Sequence, residues 1–226
     1  MSNLKPVLDF ARALHDNNNK PWFEAHRAQY DEARACFEDF VQEIIIGIDR
    51  FDPLPGLRPA DCIYRIHRDI RFSKDKSPYK DYMSAVIAPG GRKATRSPYY
   101  IHLSPGHSML AGGAHQPTRE QLALFREEIA AGAPELHRIV SAPAFRRYFG
   151  ELTGERLKTA PRGYPQDHPQ IEWLKLISLT AYHPLTDEEV CARDADLRIV
   201  KACAALKPFL DWVSAIQAQA PVPNER

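Results

Sequence analysis

The chain has 226 residues, of which 44% are hydrophobic and 26% are charged, and its formal net charge is +1 at pH 7. This balance is typical of a globular protein and excludes a disordered, fibrous or coiled-coil chain. No apolar run approaches the roughly 20 residues that a membrane span needs, and the first residues lack the apolar core of a signal peptide. The small net charge argues against a surface that attracts nucleic acid as a whole.

The first part of the chain predicts two helices. Apolar residues recur at helical spacing over residues 4–15, which indicates a short amphipathic helix, and the asparagines at 17–19 favour a turn that ends it. A longer helix is predicted from Pro21 to Asp49, because proline suits a first helical position and the apolar stripe continues. The proline- and glycine-containing segment 52–56 ends this helix.

The middle of the chain predicts antiparallel strands. Residues 62–72 alternate with period two, which indicates a strand with one polar face. Residues 82–88 form a second predicted strand, and residues 98–103 and 107–112 flank the Pro105-Gly106 turn of a predicted hairpin. The sheet is therefore expected to occupy about residues 62–112.

The last part of the chain is mainly helical in pattern. Thr118 and Thr186 each stand three residues before Gln or Glu, which is the spacing of a capping box. We also expect helical segments near 134–149 and 168–176, a further strand at 176–182, and a C-terminal helix over 194–219 that Pro208 interrupts.

This order of elements predicts an α+β fold. A central, largely antiparallel sheet, with or without residues 176–182, should be flanked by N- and C-terminal helices. No glycine-rich β–α turn is present, which disfavours a dinucleotide-binding fold. We expect residues 1–226 to form a single domain, with or without a helical C-terminal subdomain from about 186.

The cysteines indicate the compartment and argue against a metal centre. None of the four forms a C-x-x-C pair: Cys36, Cys62, Cys191 and Cys203. They lie in apolar-patterned stretches, where a free cysteine behaves as a small buried hydrophobe. We therefore expect a reducing cytoplasm, no structural zinc and no cofactor.

Residues 65–81 carry a local excess of positive charge. This segment holds six lysine and arginine residues against three aspartates, so the rest of the chain is slightly negative. If residues 62–72 form a strand, Arg65 and Arg71 share a face with His67 and Asp69. Guanidinium groups match phosphate and carboxylate oxygens two at a time. The residues predicted to bind an anionic small molecule are Arg65, Arg68, Arg71, Ser73, Lys74, Lys76, Ser77, Tyr79 and Lys80.

Histidines near the predicted sheet leave two roles open. His67 or Asp69 could act as an acid or base if burial tunes its pKa. Alternatively, His67, His102 and His115 could hold a divalent metal, although the cationic surroundings oppose one. Surface or hydrogen-bonded histidines without a chemical role are the simpler interpretation.

Other interpretations of the cationic segment remain open. Its charges could pair with one another as a purely structural network. They could also bind nucleic acid or an acidic protein, although the net charge disfavours this. In a nucleic-acid complex, bases could stack on four nearby rings: Tyr79, Tyr82, Tyr99 and Tyr100. Gly112 and Gly113 either allow close backbone approach to a ligand or only relax a strand end.

The chain resembles a bacterial and fungal family of conserved hypothetical proteins, domain of unknown function 2461. The resemblance covers nearly the whole chain and rests on the following stretches: 18–23, 65–80, 112–113 before Pro117, 122–129, 161–164 and 168–169. It implies that ten residues belong to the family signature: Arg65, Arg68, Asp69, Arg71, Lys74, Asp75, Lys76, Pro78, Tyr79 and Lys80. The family implies no activity.

Overall fold

The computed structural model describes residues 3–221 and confirms the α+β fold class, with ten α-helices and four β-strands in that range. The helices are α1 Lys5–Asp16, α2 Lys20–Ala25, α3 Arg27–Asp49, α4 Pro59–Cys62, α5 Arg119–Ala130, α6 Pro134–Ser141, α7 Pro143–Phe149, α8 Ile171–Leu174, α9 Asp187–Cys191 and α10 Ala195–Gln217. The strands are β1 Met83–Ile87, β2 Tyr99–Leu103, β3 Ser108–Ala114 and β4 Leu179–Leu185.

The four strands form one sheet in the order β1-β2-β3-β4. β1 and β2 are antiparallel, with Met83 opposite Leu103 and Ile87 opposite Tyr99. Every residue of β1 is buried, whereas β2 and β3 alternate between buried and half-buried positions, as expected for a sheet with one more accessible face. These strands confirm the predictions for 82–88, 98–103 and 107–112, and β4 begins slightly later than predicted.

The predicted helix from Pro21 to Asp49 is interrupted at His26, which was not expected. His26 has φ −111° and ψ 22°, outside the helical region, and separates α2 from α3. Its ring stacks on Trp22 at a centroid distance of 4.0 Å, and its Nδ1 lies 2.8 Å from the Trp22 carbonyl oxygen. Because such local contacts compete with the helical pattern, the apolar periodicity could not reveal the break.

The predicted strand at 62–72 is wrong. Cys62 ends α4, and within residues 63–72 the strand-type pairing is limited to two isolated antiparallel bridges, Ile63 to Ala85 and His67 to Tyr79. Two features prevent a continuous ladder. Pro78 has no N–H to donate, and the aspartates in this segment bond to nearby backbone and side-chain groups instead.

The contacts group the chain into two units, each built from three segments. The first unit contains residues up to Ala94, Tyr99–Leu110 and Pro184–Ala204, and its core includes the packing of α1 on α3. The second unit contains Thr95–Pro98, Ala111–His183 and residues from Ala205. Its core includes the rings of Phe125, Phe145, Phe209 and Trp212, all buried. The single-domain organisation stays a prediction.

Both predicted capping boxes are confirmed, at the starts of α5 and α9. Pro208, which was expected to interrupt the last helix, lies inside the continuous α10. Its neighbours Leu206, Phe209 and Leu210 are buried, so packing offsets the single helical hydrogen bond that proline cannot make. No helix within residues 3–221 combines the length and apolar character that a membrane crossing requires.

The Gly112-Gly113 pair is packed against the protein's own side chains and backbone. A Cβ on Gly112 would come within 2.8 Å of Leu210, and one on Gly113, where φ is +123°, within 2.2 Å of the Leu179 carbonyl oxygen. The two glycines therefore allow other residues of the second unit to pack closely against this strand.

Candidate functional site

An open cleft of about 510 Å³ lies in the first unit, between the start of α3 and the irregular chain around residue 65. Its lining contains four arginines and a histidine: Arg27, Arg34, Arg65, Arg92 and His67. Aromatic and aliphatic side chains complete it: Phe23, Tyr30, Tyr64, Ile63 and Ile66. No carboxylate is among the lining residues in the described chain.

One face of α3 supplies part of this lining. Arg27, Tyr30 and Arg34 are spaced three and four residues apart, so their side chains project from the same side of the helix. Each arginine is oriented by an acid one turn later, outside the cleft: Arg27 Nε lies 3.0 Å from Asp31 Oδ1, and Arg34 Nε lies 2.6 Å from Glu38 Oε1. The Arg27 guanidinium also lies over the Tyr30 ring at 5.5 Å.

Arg92 is held by backbone rather than by an acid. It lies in the 3₁₀ turn Gly91–Lys93, and its Nη1 donates to the carbonyl oxygens of Ala60, at 3.1 Å, and Ile63. Because these acceptors are neutral, the charge of Arg92 is not compensated by an ion pair within residues 3–221. A side chain fixed in this way is pre-organised to bind an anion.

Arg65 has no hydrogen bond and no ion pair with any residue that the structure describes. It is exposed and lies in the irregular chain between the two bridges. A guanidinium that donates no hydrogen bond within residues 3–221 can turn toward a ligand without breaking one, and the charge of Arg65 acts only at longer range on Asp69. Arg65 is therefore the least constrained cation of the cleft.

A stack of rings forms the wall beside α2. Phe23 and Tyr79 lie 4.1 Å apart with an interplanar angle of 17°, and His67 lies 5.3 Å from Tyr79. Tyr79 is buried, and both its backbone N–H and its carbonyl bond to the side chain of Asn18. Tyr79 thus supports the wall through Phe23 and His67 and is not itself a lining residue.

Lys80 lies next to the cleft in an aromatic setting. Its Nζ lies 5.1 Å from the Tyr64 ring centre and 5.9 Å from that of Tyr82. Burial lowers the pKa of Lys80, and the neighbouring charge of Arg65 lowers it further. Within the described residues Lys80 has no ion pair, so its positive charge also lacks a compensating carboxylate.

The loop from 69 to 77 satisfies most of its own charges. Arg71 makes a two-pronged ion pair with Asp69, with contacts of 2.7 and 3.0 Å. Asp75 pairs with Arg68 and accepts from the Ser77 hydroxyl at 2.6 Å. These bonds, led by those from Ser77, hold the pKa of Asp75 well below its usual range, and the bond from Arg71 lowers the pKa of Asp69.

The structure therefore divides the predicted site residues into two groups. Arg65 and His67 line the cleft, Lys80 lies beside it, and Tyr79 supports it from behind. The remaining predicted ligand residues lie in the loop and do not line the cleft: Arg68, Arg71, Ser73, Lys74, Lys76 and Ser77. The expected common face of Arg65, His67, Asp69 and Arg71 is absent because the strand that would create it does not form.

The structure gives no support to a metal held by His67, His102 and His115. Among residues 3–221, no group of three or more His, Cys, Asp or Glu is placed to hold a metal ion. His102 is half-buried, its Nδ1 lies 3.2 Å from the Tyr100 hydroxyl, and burial lowers its pKa. Tyr99, one of the rings suggested for base stacking, is buried and donates its hydroxyl to Asp52 at 3.0 Å.

Three arginines of the lining were not predicted from the sequence: Arg27, Arg34 and Arg92. Arg27 and Arg34 had a detectable signal, because with Tyr30 they form a basic and aromatic face on a predicted helix. Arg92 had none, since it follows a glycine turn and reaches the cleft through tertiary contacts. Chemically, the cleft presents guanidinium groups that match the oxygens of an anion, and the imidazole of His67 is also in its lining.

Comparison with known proteins identifies the family but no characterised relative. No curated protein and no solved structure matches the chain. A family model described as conserved hypothetical protein (DUF2461) matches residues 6–212, a range that includes every residue of the cleft. The chain therefore belongs to this family of conserved hypothetical proteins.

Proposed function

We propose that the protein binds a small molecule bearing a phosphate or carboxylate group in the cleft of the first unit. The observation that carries this proposal is four arginines lining one cavity with no lining carboxylate. Such an arrangement suits an anion, because guanidinium groups match phosphate and carboxylate oxygens two at a time. A volume of about 510 Å³ is also in the range of small-molecule sites.

The proposal includes a chemical role for one residue only. Of the two acid–base candidates, His67 lines the cleft and Asp69 is engaged by Arg71. If the protein is an enzyme, His67 is the group we propose to transfer a proton. We also propose a cytoplasmic location, since all four cysteines are free thiols.

Isothermal titration calorimetry with inorganic phosphate and with succinate, at constant ionic strength, tests the proposal. We expect Arg65→Gln to weaken binding about tenfold, the effect of losing one charge-assisted hydrogen bond. Arg71→Gln is the matched control, because Arg71 belongs to the same segment but pairs with Asp69 outside the cleft. The control should bind within about twofold of the wild type.

Two results would contradict the proposal. One is an equal loss of affinity in both variants, which would indicate a general effect of charge. The other is the absence of binding of either anion to the wild-type protein. Repeating the titration at higher salt distinguishes site binding from diffuse attraction, because screening removes the latter first.

A further inference from the structure

The cleft continues into a narrow crevice. The two cavities share Tyr30, Arg34, Tyr64, Arg65 and Ile66. The crevice has a volume of about 10 Å³, enough for one water-sized group. Its other lining residues lie at and before the start of β1: Lys80, Tyr82, Met83 and Ser84.

The cations are distributed over both cavities. Arg27 and Arg92 line only the cleft, Lys80 lines only the crevice, and Arg34 and Arg65 line both. A single phosphate in the wide part of the cleft would leave the Lys80 ammonium without an anion. A ligand with a second anionic group can satisfy both ends of this row of cations.

The charges without an ion-pair partner indicate how much negative charge the ligand carries. Arg27 and Arg34 are matched by Asp31 and Glu38. Three other cations make no ion pair within the described residues: Arg65, Arg92 and Lys80. The carboxylates on which Arg65 and Arg92 act, Asp69 and Asp61, are already paired with Arg71 and Arg58, which leaves three positive charges. Two phosphate groups carry about −3 to −4 at neutral pH and suit this number better than a dicarboxylate, which carries about −2.

The aromatic lining supports the same assignment. The rings of Tyr30 and Tyr64 each contact a cation, Arg27 in one case and Lys80 in the other. These contacts orient the two cations against the rings. The rings thus contribute by orienting positive charge, and the lining favours an anion-rich ligand.

We propose that the ligand is a small molecule with two phosphate groups, one bound in the cleft near Arg27 and Arg92 and the other at the mouth of the crevice, where one of its oxygens points toward Lys80. This inference rests on the proposed function, because it assumes that the cleft binds an anion. Arg65, which lines both cavities and makes no hydrogen bond or ion pair within residues 3–221, lies between the two phosphates and contacts both.

Calorimetric titration with paired probes tests the inference. Fructose 1,6-bisphosphate is compared with fructose 6-phosphate, and pyrophosphate with inorganic phosphate, so that two spacings of the phosphates are sampled. We expect at least one bisphosphate probe to bind about tenfold more tightly than its partner with one phosphate. Lys80→Gln should abolish this preference while inorganic phosphate still binds within about twofold of the wild type.

Two further variants control for charge and folding. Lys74→Gln removes an exposed lysine that does not line either cavity and should keep the preference. Lys80→Arg retains the positive charge and should keep part of the preference for the probe with two phosphates. Binding of inorganic phosphate by each Lys80 variant verifies that the cleft is folded.

The outcomes separate the two proposals. If inorganic phosphate binds and neither bisphosphate probe binds more tightly, the inference is overturned and the proposed function stands. If Lys80→Gln and Lys74→Gln change the preference equally, Lys80 does not contact the second phosphate and the inference is also overturned. If none of the four probes binds, the inference is overturned, and the proposed function also fails if succinate does not bind.

Discussion

Asn18 fixes one wall of the candidate site, and its replacement is a quantitative test of that reasoning. Its Nδ2 donates to the Tyr79 carbonyl at 2.9 Å, and its Oδ1 accepts from the Tyr79 N–H at 3.1 Å. Tyr79 is buried and stacks on Phe23, which lines the cleft. We predict that Asn18→Ala lowers the free energy of unfolding, because both backbone groups of Tyr79 lose their partner.

The size of the effect follows from the two hydrogen bonds. Each contributes about 1 kcal/mol net, and leaving a buried donor or acceptor without a partner raises the cost, so we expect a loss of about 2–3 kcal/mol. Asn18→Asp keeps the acceptor but places a carboxylate oxygen against the Tyr79 carbonyl. This variant should lose at least about 1 kcal/mol, the value of the missing donated bond.

Urea denaturation followed by circular dichroism measures both losses. The midpoint should shift while the slope of the transition stays constant, since the surface exposed on unfolding is unchanged. Asn17→Ala is the control, because Asn17 is exposed and its amide makes one bond to the Ala13 carbonyl, and it should cost less than about 0.5 kcal/mol. If Asn18→Ala is no more destabilising than this control, the bridge to Tyr79 does not support the wall.

Three further predictions concern the first unit. Gly91→Ala should lower the free energy of unfolding in urea by about 2 kcal/mol or more, because φ is +57° and the new Cβ would lie 2.3 Å from the Asp61 carbonyl oxygen. An unchanged free energy of unfolding would contradict this tight packing. Phe72→Ser should change the free energy of unfolding by less than about 0.5 kcal/mol, because the Phe72 side chain is 96% exposed; a larger loss in the same assay would mean that Phe72 packs against the protein. Because burial lowers the pKa of His102, the unfolded chain binds more protons than the folded one just below the ordinary value of 6.5, so stability should fall with decreasing pH there. The unfolding midpoint of His102→Gln should fall less than that of the wild type between about pH 7.5 and pH 5.5, and equal falls would exclude His102 as the cause.

The helices show which structural features of this chain can be predicted from the local sequence pattern. The apolar stripe predicted α1, and the Thr-x-x-Gln and Thr-x-x-Glu spacings predicted the starts of α5 and α9, because capping depends on residues within one turn. The break at His26 and the continuity of α10 through Pro208 were not predicted. Both depend on side-chain packing, which periodicity does not record.

The error at residues 62–72 has a similar cause. Alternation of polar and apolar residues is compatible with a strand, but a strand also needs a neighbour that supplies hydrogen bonds along its length. Here the adjacent chain contains Pro78, and Asp69 and Asp75 bond within their own loop, so only isolated bridges form. The polar side chains of the segment therefore point to different surroundings rather than to one face.

The amino-acid sequence by itself determined the fold class, most helix and strand positions and the segment that contributes Arg65, His67 and Lys80, because these follow from composition, local periodicity and local charge. Only the tertiary structure decided which positive charges share a cavity. It brings Arg27 and Arg34 of α3 to the same cleft as Arg92 of the 3₁₀ turn, and it leaves Arg68 and Arg71 paired with Asp75 and Asp69. The physical reason is that whether a charge is compensated depends on neighbours in space, which are set by packing between residues distant in the chain.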